Sequence, residues 1–192
     1  MAKRWMAVAL MVSVVRIAYA AEPGNVWTID LQVENEARVP ARVLETTRAE
    51  VARIFANAGL TVRWTEIAPR FTVKIVPQVL GYGRAGSPVM GVALRRTNGS
   101  TAQIFFKQVQ DFARTYHVDL TTILAYVIAH EVGHLLLPGH GHSPSGLMRA
   151  DWDNPLARDV VKGSLTFTEA QAARIRADHP HGDVALGGRP FH

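Results

Sequence analysis

His130, Glu131 and His134 stand in the arrangement H-E-x-x-H. On an α-helix four residues turn through about 400°, so the two imidazoles lie one above the other and can share one zinc ion. Glu131 is turned about 100° from His130, where its carboxylate faces water held by such an ion rather than the ion itself. In a chain of 192 residues with 8 His and 8 Glu, chance produces the motif roughly one time in seventy. Its surroundings therefore decide its weight.

Those surroundings are apolar. From Asp119 to Leu137 the residues Leu120, Ile123, Leu124, Val127, Ile128, Leu135 and Leu136 predict a long helix buried on most of its circumference, stopped by Pro138-Gly139. Two histidines and a glutamate are costly to bury there without a charge to hold. Further histidines follow at His140 and His142. The chain has no cysteine, so any metal must be held by histidine or carboxylate, and thiol chemistry is excluded.

The run from His130 to His140 resembles the metzincin signature H-E-x-x-H-x-x-G-x-x-H, with His140 at the third-ligand position. Eight residues on, Ser145-Gly146-Leu147-Met148 is similar to the Met-turn of the matrixin branch, in which a methionine lies beneath the metal site. The likeness is close over His130 to Met148 and loose elsewhere. It departs at Leu137, where the family has a helix-breaking glycine. Gly139-His140-Gly141-His142 restores the family's Gly-x-x-His step two residues late, which favours His142 over His140 as the third ligand. The run His142 to Met148 also resembles bacterial exported relatives of the metzincins. The resemblance implies a zincin-like fold, a Zn2+ cofactor and hydrolysis of peptide bonds, with Glu131 taking a proton from coordinated water and giving it to the leaving amine. Met148 reads as packing beneath the histidines rather than as a ligand, since a thioether is soft.

Other elements must position this site. Asn25 to Val33 reads as an opening strand, Ala41 to Ala58 as a helix entered at Pro40 and closed at Gly59, and Leu60 to Ile67 and Phe71 to Val76 as two short strands. Gly81 to Gly91 reads as a connecting loop without the lysine of a phosphate-binding one. Gly91 to Arg96 and Thr101 to Lys107 flank Asn98-Gly99 as a hairpin. Thr101 to Lys107 is expected to be an edge strand that holds an extended peptide by main-chain pairing. Thr168 and Gln171 form a capping box that opens a last helix running to about Ala177.

Glu169, Asp151 and Asp153 are further carboxylates that could join a metal. Glu169 is better explained by the dipole of the helix it opens, and the two aspartates by loop or cap roles. Gly133, unfavourable by roughly 1 kcal/mol in a helix, is expected to pack closely against a neighbouring strand. Trp64 and Trp152 read as core, and His117, His179, His181 and His192 as scattered away from the motif.

Residues 1–20 have the form of a secretory signal: Lys3 and Arg4, the apolar run Trp5 to Val15, and Ala18-Tyr19-Ala20 before the cleavage point. That run is short for a membrane span, so no stable anchor is expected after cleavage, and the address is secreted or periplasmic. Of 21 basic residues, Lys3, Arg4 and Arg16 belong to this leader, leaving an excess of two over the 16 acidic ones. Nothing in that balance calls for nucleic acid.

The expectation is a signal peptide over 1–20, one metallopeptidase domain over 21–177 and a loose tail over 178–192. The class expected is α+β: a twisted mixed sheet, a backing helix, the H-E-x-x-H helix and a C-terminal helix. The partner expected is a peptide or protein substrate. A secreted zinc-binding or adhesion module without turnover is the rival, and the retained Glu131 argues against it.

Overall fold

The computed structural model describes residues 27–78, 89–96, 99–139 and 141–178. The leader, Asn98, His140, residues 79–88 and the tail from His179 lie outside the described residues. The strands are β1 (Trp27–Asn35), β2 (Leu60–Trp64), β3 (Phe71–Val76), β4 (Gly91–Arg96) and β5 (Gly99–Phe105), and they form one sheet in the order β2-β1-β3-β5-β4. β1 pairs in parallel with β2 and β3, β3 pairs in parallel with β5, and β4 runs antiparallel to β5. The expected class, α+β with a mixed sheet, is the one observed.

Period-two alternation builds the sheet. Ile29 and Leu31 of β1, Val73 and Ile75 of β3, and Ala102 and Ile104 of β5 are buried on one face. On the other, Asp30 sits opposite Arg63 and pairs with it at 2.6 Å, and Lys74 reaches Glu34 at 3.5 Å and Glu36 at 2.7 Å. Exposed pairs of this kind add little to stability; they mark the face that carries charge.

Five helices occur among the described residues: α1 (Ala41–Ala56), α2 (Phe106–Tyr116), α3 (Leu120–Leu136), α4 (Asn154–Val161) and α5 (Glu169–Asp178). α3 is the central element, buried at every residue from Ile123 to Gly133 and packed against α1, α2, β3, β4 and β5. Asp119 opens it by accepting the Thr122 amide at 2.9 Å, which satisfies one of the helix's unpaired donors. No described helix is long and apolar enough to cross a membrane.

Several expectations need correction. β5 is not an edge strand, since β3 and β4 flank it and Ala102, Ile104 and Phe105 are buried; the edge belongs to β4. The hairpin folds its first strand outward because the second finds a parallel partner in β3. Phe106 and Lys107 belong to α2, not to the strand. α2 and α4 were not expected as helices, although Phe106, Val109, Phe112 and Ala113 line one buried stripe of α2. β2 stops at Trp64, and Ile67 beyond it is 84% exposed. Pro40 is the N-cap of α1 rather than a helical residue, and α5 extends one residue past Ala177.

Candidate metal centre

α3 carries His130 and His134 on one face, and its end positions the next histidine. Leu137 closes the helix, donating its amide to the Gly133 carbonyl at 2.9 Å, and Gly139 takes a positive φ of 76° that turns the chain back. His142 follows three residues on. From there the chain folds into a tight loop: Ser143 donates its amide to the Met148 carbonyl at 2.8 Å, and Leu147 donates to the Thr166 carbonyl at 2.7 Å. Gly146 is required within it, since its φ is +73° and a Cβ would lie 2.8 Å from the Thr166 oxygen. The capping box of α5 forms as expected, with Thr168 donating to Gln171 Oε1 at 2.9 Å and Gln171 donating to Thr168 Oγ1 at 3.3 Å. Gln171 also donates to Ser143 Oγ at 3.0 Å, which ties α5 to the loop.

The three histidines converge. His134 Nε2 lies 3.1 Å from His130 Nε2 and 3.3 Å from His142 Nε2. Nitrogens bound to a single tetrahedral ion are about 3.3 Å apart, so these separations suit one shared ion without rearrangement. The three side chains are close enough to bind a metal ion. His130 Nδ1 lies 2.8 Å from the Leu147 carbonyl. A carbonyl can only accept, so Nδ1 carries the proton and Nε2 presents its lone pair to the cluster. The loop thus does two jobs: it brings in His142 and fixes the tautomer of His130.

Packing holds this geometry. Met148 is buried beneath α3, and a Cβ on Gly133 would come within 2.5 Å of its sulfur and 3.0 Å of the Phe167 ring. Gly133 therefore packs closely, but against the loop methionine and Phe167 rather than a strand. Trp152 sets its edge against His130 with ring centroids 5.5 Å apart. It lines the site as well as packing on the core.

Burial sets the charge states. Desolvation lowers the pKa of His130 to about 3, opposed by the Leu147 hydrogen bond and assisted by the neighbouring imidazoles. Desolvation, with His142 alongside, lowers His134 to about 4. Both rings are thereby neutral and able to ligate at ordinary pH. Burial pushes the Glu131 carboxyl up to about 8. Glu131 stays out of the histidine cluster but faces the same open cleft of about 410 Å³ as His130, His134 and His142. A carboxyl poised beside a metal-ligand set, with its affinity for protons raised, can take and return a proton near neutral pH.

Of the residues singled out from the sequence, His130, Glu131, His134 and His142 come together. Glu169 is exposed and pairs with Arg176 at 3.0 Å. Asp153 is the N-cap of α4, accepting the Leu156 amide at 3.0 Å, and Asp151 is exposed. Arg95 of β4 was not foreseen; it lines the cleft and donates to the carbonyls of His134, at 3.5 Å, and Leu135. The alternation Gly91, Ala93, Arg95 on the true edge strand was the signal for it, obscured by assigning the edge to β5. No family model matches the chain, and no curated protein matches it either.

Proposed function

We propose that this protein is an exported, zinc-dependent, metzincin-like metalloendopeptidase. The observation that supports this reading best is the convergence of three Nε2 atoms beside the Glu131 carboxyl in a cleft open to substrate. The donor set is three imidazoles with no thiol, which suits zinc. Zinc bound there would act as a Lewis acid, lowering the pKa of coordinated water to about 7 and polarising the scissile carbonyl. The remaining work falls to the chain. Glu131 accepts the proton that the attacking water loses and passes it to the departing amine. β4 borders the cleft and is the edge of the sheet, so its free main-chain groups can pair with an extended peptide. That role thus belongs to β4 rather than to β5.

A module that only bound metal would need His130, His134 and His142 but not a carboxyl held beside them. Export rests on the leader over residues 1–20 and suits a peptidase acting outside the cytoplasm. The test is hydrolysis of a denatured protein substrate by the zinc-loaded chain, with and without chelator, and by Glu131→Gln. The reading expects cleavage that chelator abolishes and Glu131→Gln reduces by at least about 100-fold. Cleavage indifferent to both would overturn it.

A further inference from the structure

We infer that the cleft selects peptides bearing a carboxylate beside the scissile bond, and that Arg95 reads it; this rests on the peptidase reading above. Apart from the histidines, the cleft wall is formed by apolar residues of the 89–93 segment, Val127, Ala150 and Trp152. Among the described residues that line it, Glu131 and Arg95 are the acid and the base. Gly91, Ala93 and Arg95 follow the two-residue alternation of β4. Gly91 sits over Glu131, and Arg95 reaches the carbonyls of His134 and Leu135 at the end of α3. An acid thus stands at one end of this edge and a permanent cation at the other, beside the metal-ligand cluster.

The helix-end carbonyls of His134 and Leu135 hold the guanidinium in place through Nη2. Among the described residues no carboxylate forms a salt bridge with Arg95. A guanidinium carries five donors, more than two carbonyls engage, and it matches a carboxylate in both charge and shape. A dication held by the three imidazoles would strengthen the same preference. Arg95 is a specificity residue in this scheme: it touches substrate away from the bond that breaks.

The test uses two pools of otherwise identical neutral decapeptides, one carrying a single Glu at each successive position and the other Gln. Their binding is measured by calorimetry to zinc-loaded Glu131→Gln protein, which separates recognition from turnover. The Glu pool is expected to bind at least about tenfold more tightly, the size of one charge-assisted hydrogen bond. Adding Arg95→Glu should invert the preference toward a matched Lys pool, whereas Arg95→Lys should retain part of it. A merely structural role at the end of α3 would not produce inversion. Equal binding of the Glu and Gln pools, or binding of neither, overturns the inference. A Glu preference in a chain whose wild type hydrolyses nothing would instead overturn the peptidase reading and leave the recognition site standing.

Discussion

A Cβ atom built on Gly91 would lie 2.7 Å from Cγ of Glu131 and 2.9 Å from its Oε1. The edge strand therefore meets the central helix at the proposed general base, and the missing side chain makes room for the carboxyl. Gly91→Ala is expected to displace Glu131 while leaving the histidines in place. Zinc affinity should stay within about threefold of wild type, and hydrolysis should fall about 100-fold, the scale of a misplaced reacting group. Parallel zinc titration and peptide assays check this, and a variant with unaltered turnover refutes it.

Gly133 lies against Met148 and Phe167 with no room for a methyl group. Gly133→Ala gains about 1 kcal/mol of helix propensity but meets overpacking of about 1–3 kcal/mol. A net loss of about 1 kcal/mol is expected in chemical denaturation. Adding Met148→Ala should relieve the clash, so the two changes should be strongly non-additive. Additive losses would show that the two residues do not share this space.

Gly146 is not itself one of the clustered residues, yet its turn carries the Leu147 carbonyl that orients His130. Gly146→Ala forces a side chain into φ +73° and against the Thr166 oxygen at 2.8 Å. Zinc affinity should drop about 10-fold to 100-fold, as when an orienting partner of a ligand is lost. Unchanged affinity would mean that the loop does not set the ligand geometry.

The buried titratable groups predict a pH profile for chelator-stripped protein. Glu131, ordinarily near 4.5, is raised to about 8, so its contribution is full at low pH and is lost as pH rises through 8. His130 and His134, ordinarily near 6.5, are lowered to about 3 and 4. Unfolded chains take up those protons below pH 6.5 while the folded chain refuses them, so stability declines as the pH is lowered there. Thermal melting of the stripped protein should therefore peak near pH 6.5. Glu131→Gln should remove the alkaline decline and leave the acidic one. An alkaline limb identical in both proteins would contradict the assignment.

Much of this site was legible because its signals are local. The i, i+4 spacing of His130 and His134 and the apolar run around them placed two ligands on a buried helix. Gly139 and the spacing of His142 favoured the third over His140, whose placement is not described. What escaped was non-local. Which strand of the hairpin finds a partner depends on β3, about thirty residues away, so the edge was misplaced and Arg95 with it. α2 follows β5 without a break, and Phe105 and Phe106 serve strand and helix equally well. Gly133 announced a close approach, but its neighbours Met148 and Phe167 come from segments that only the fold brings beneath it.

The most direct measurement is a zinc titration against a competing chromophoric chelator, with wild type, His142→Ala and Glu131→Gln side by side. Three converging imidazoles predict one tight equivalent per chain in wild type and Glu131→Gln, and affinity weakened at least about 100-fold in His142→Ala. Wild-type affinity in His142→Ala would contradict the three-histidine centre on which the proposed chemistry depends.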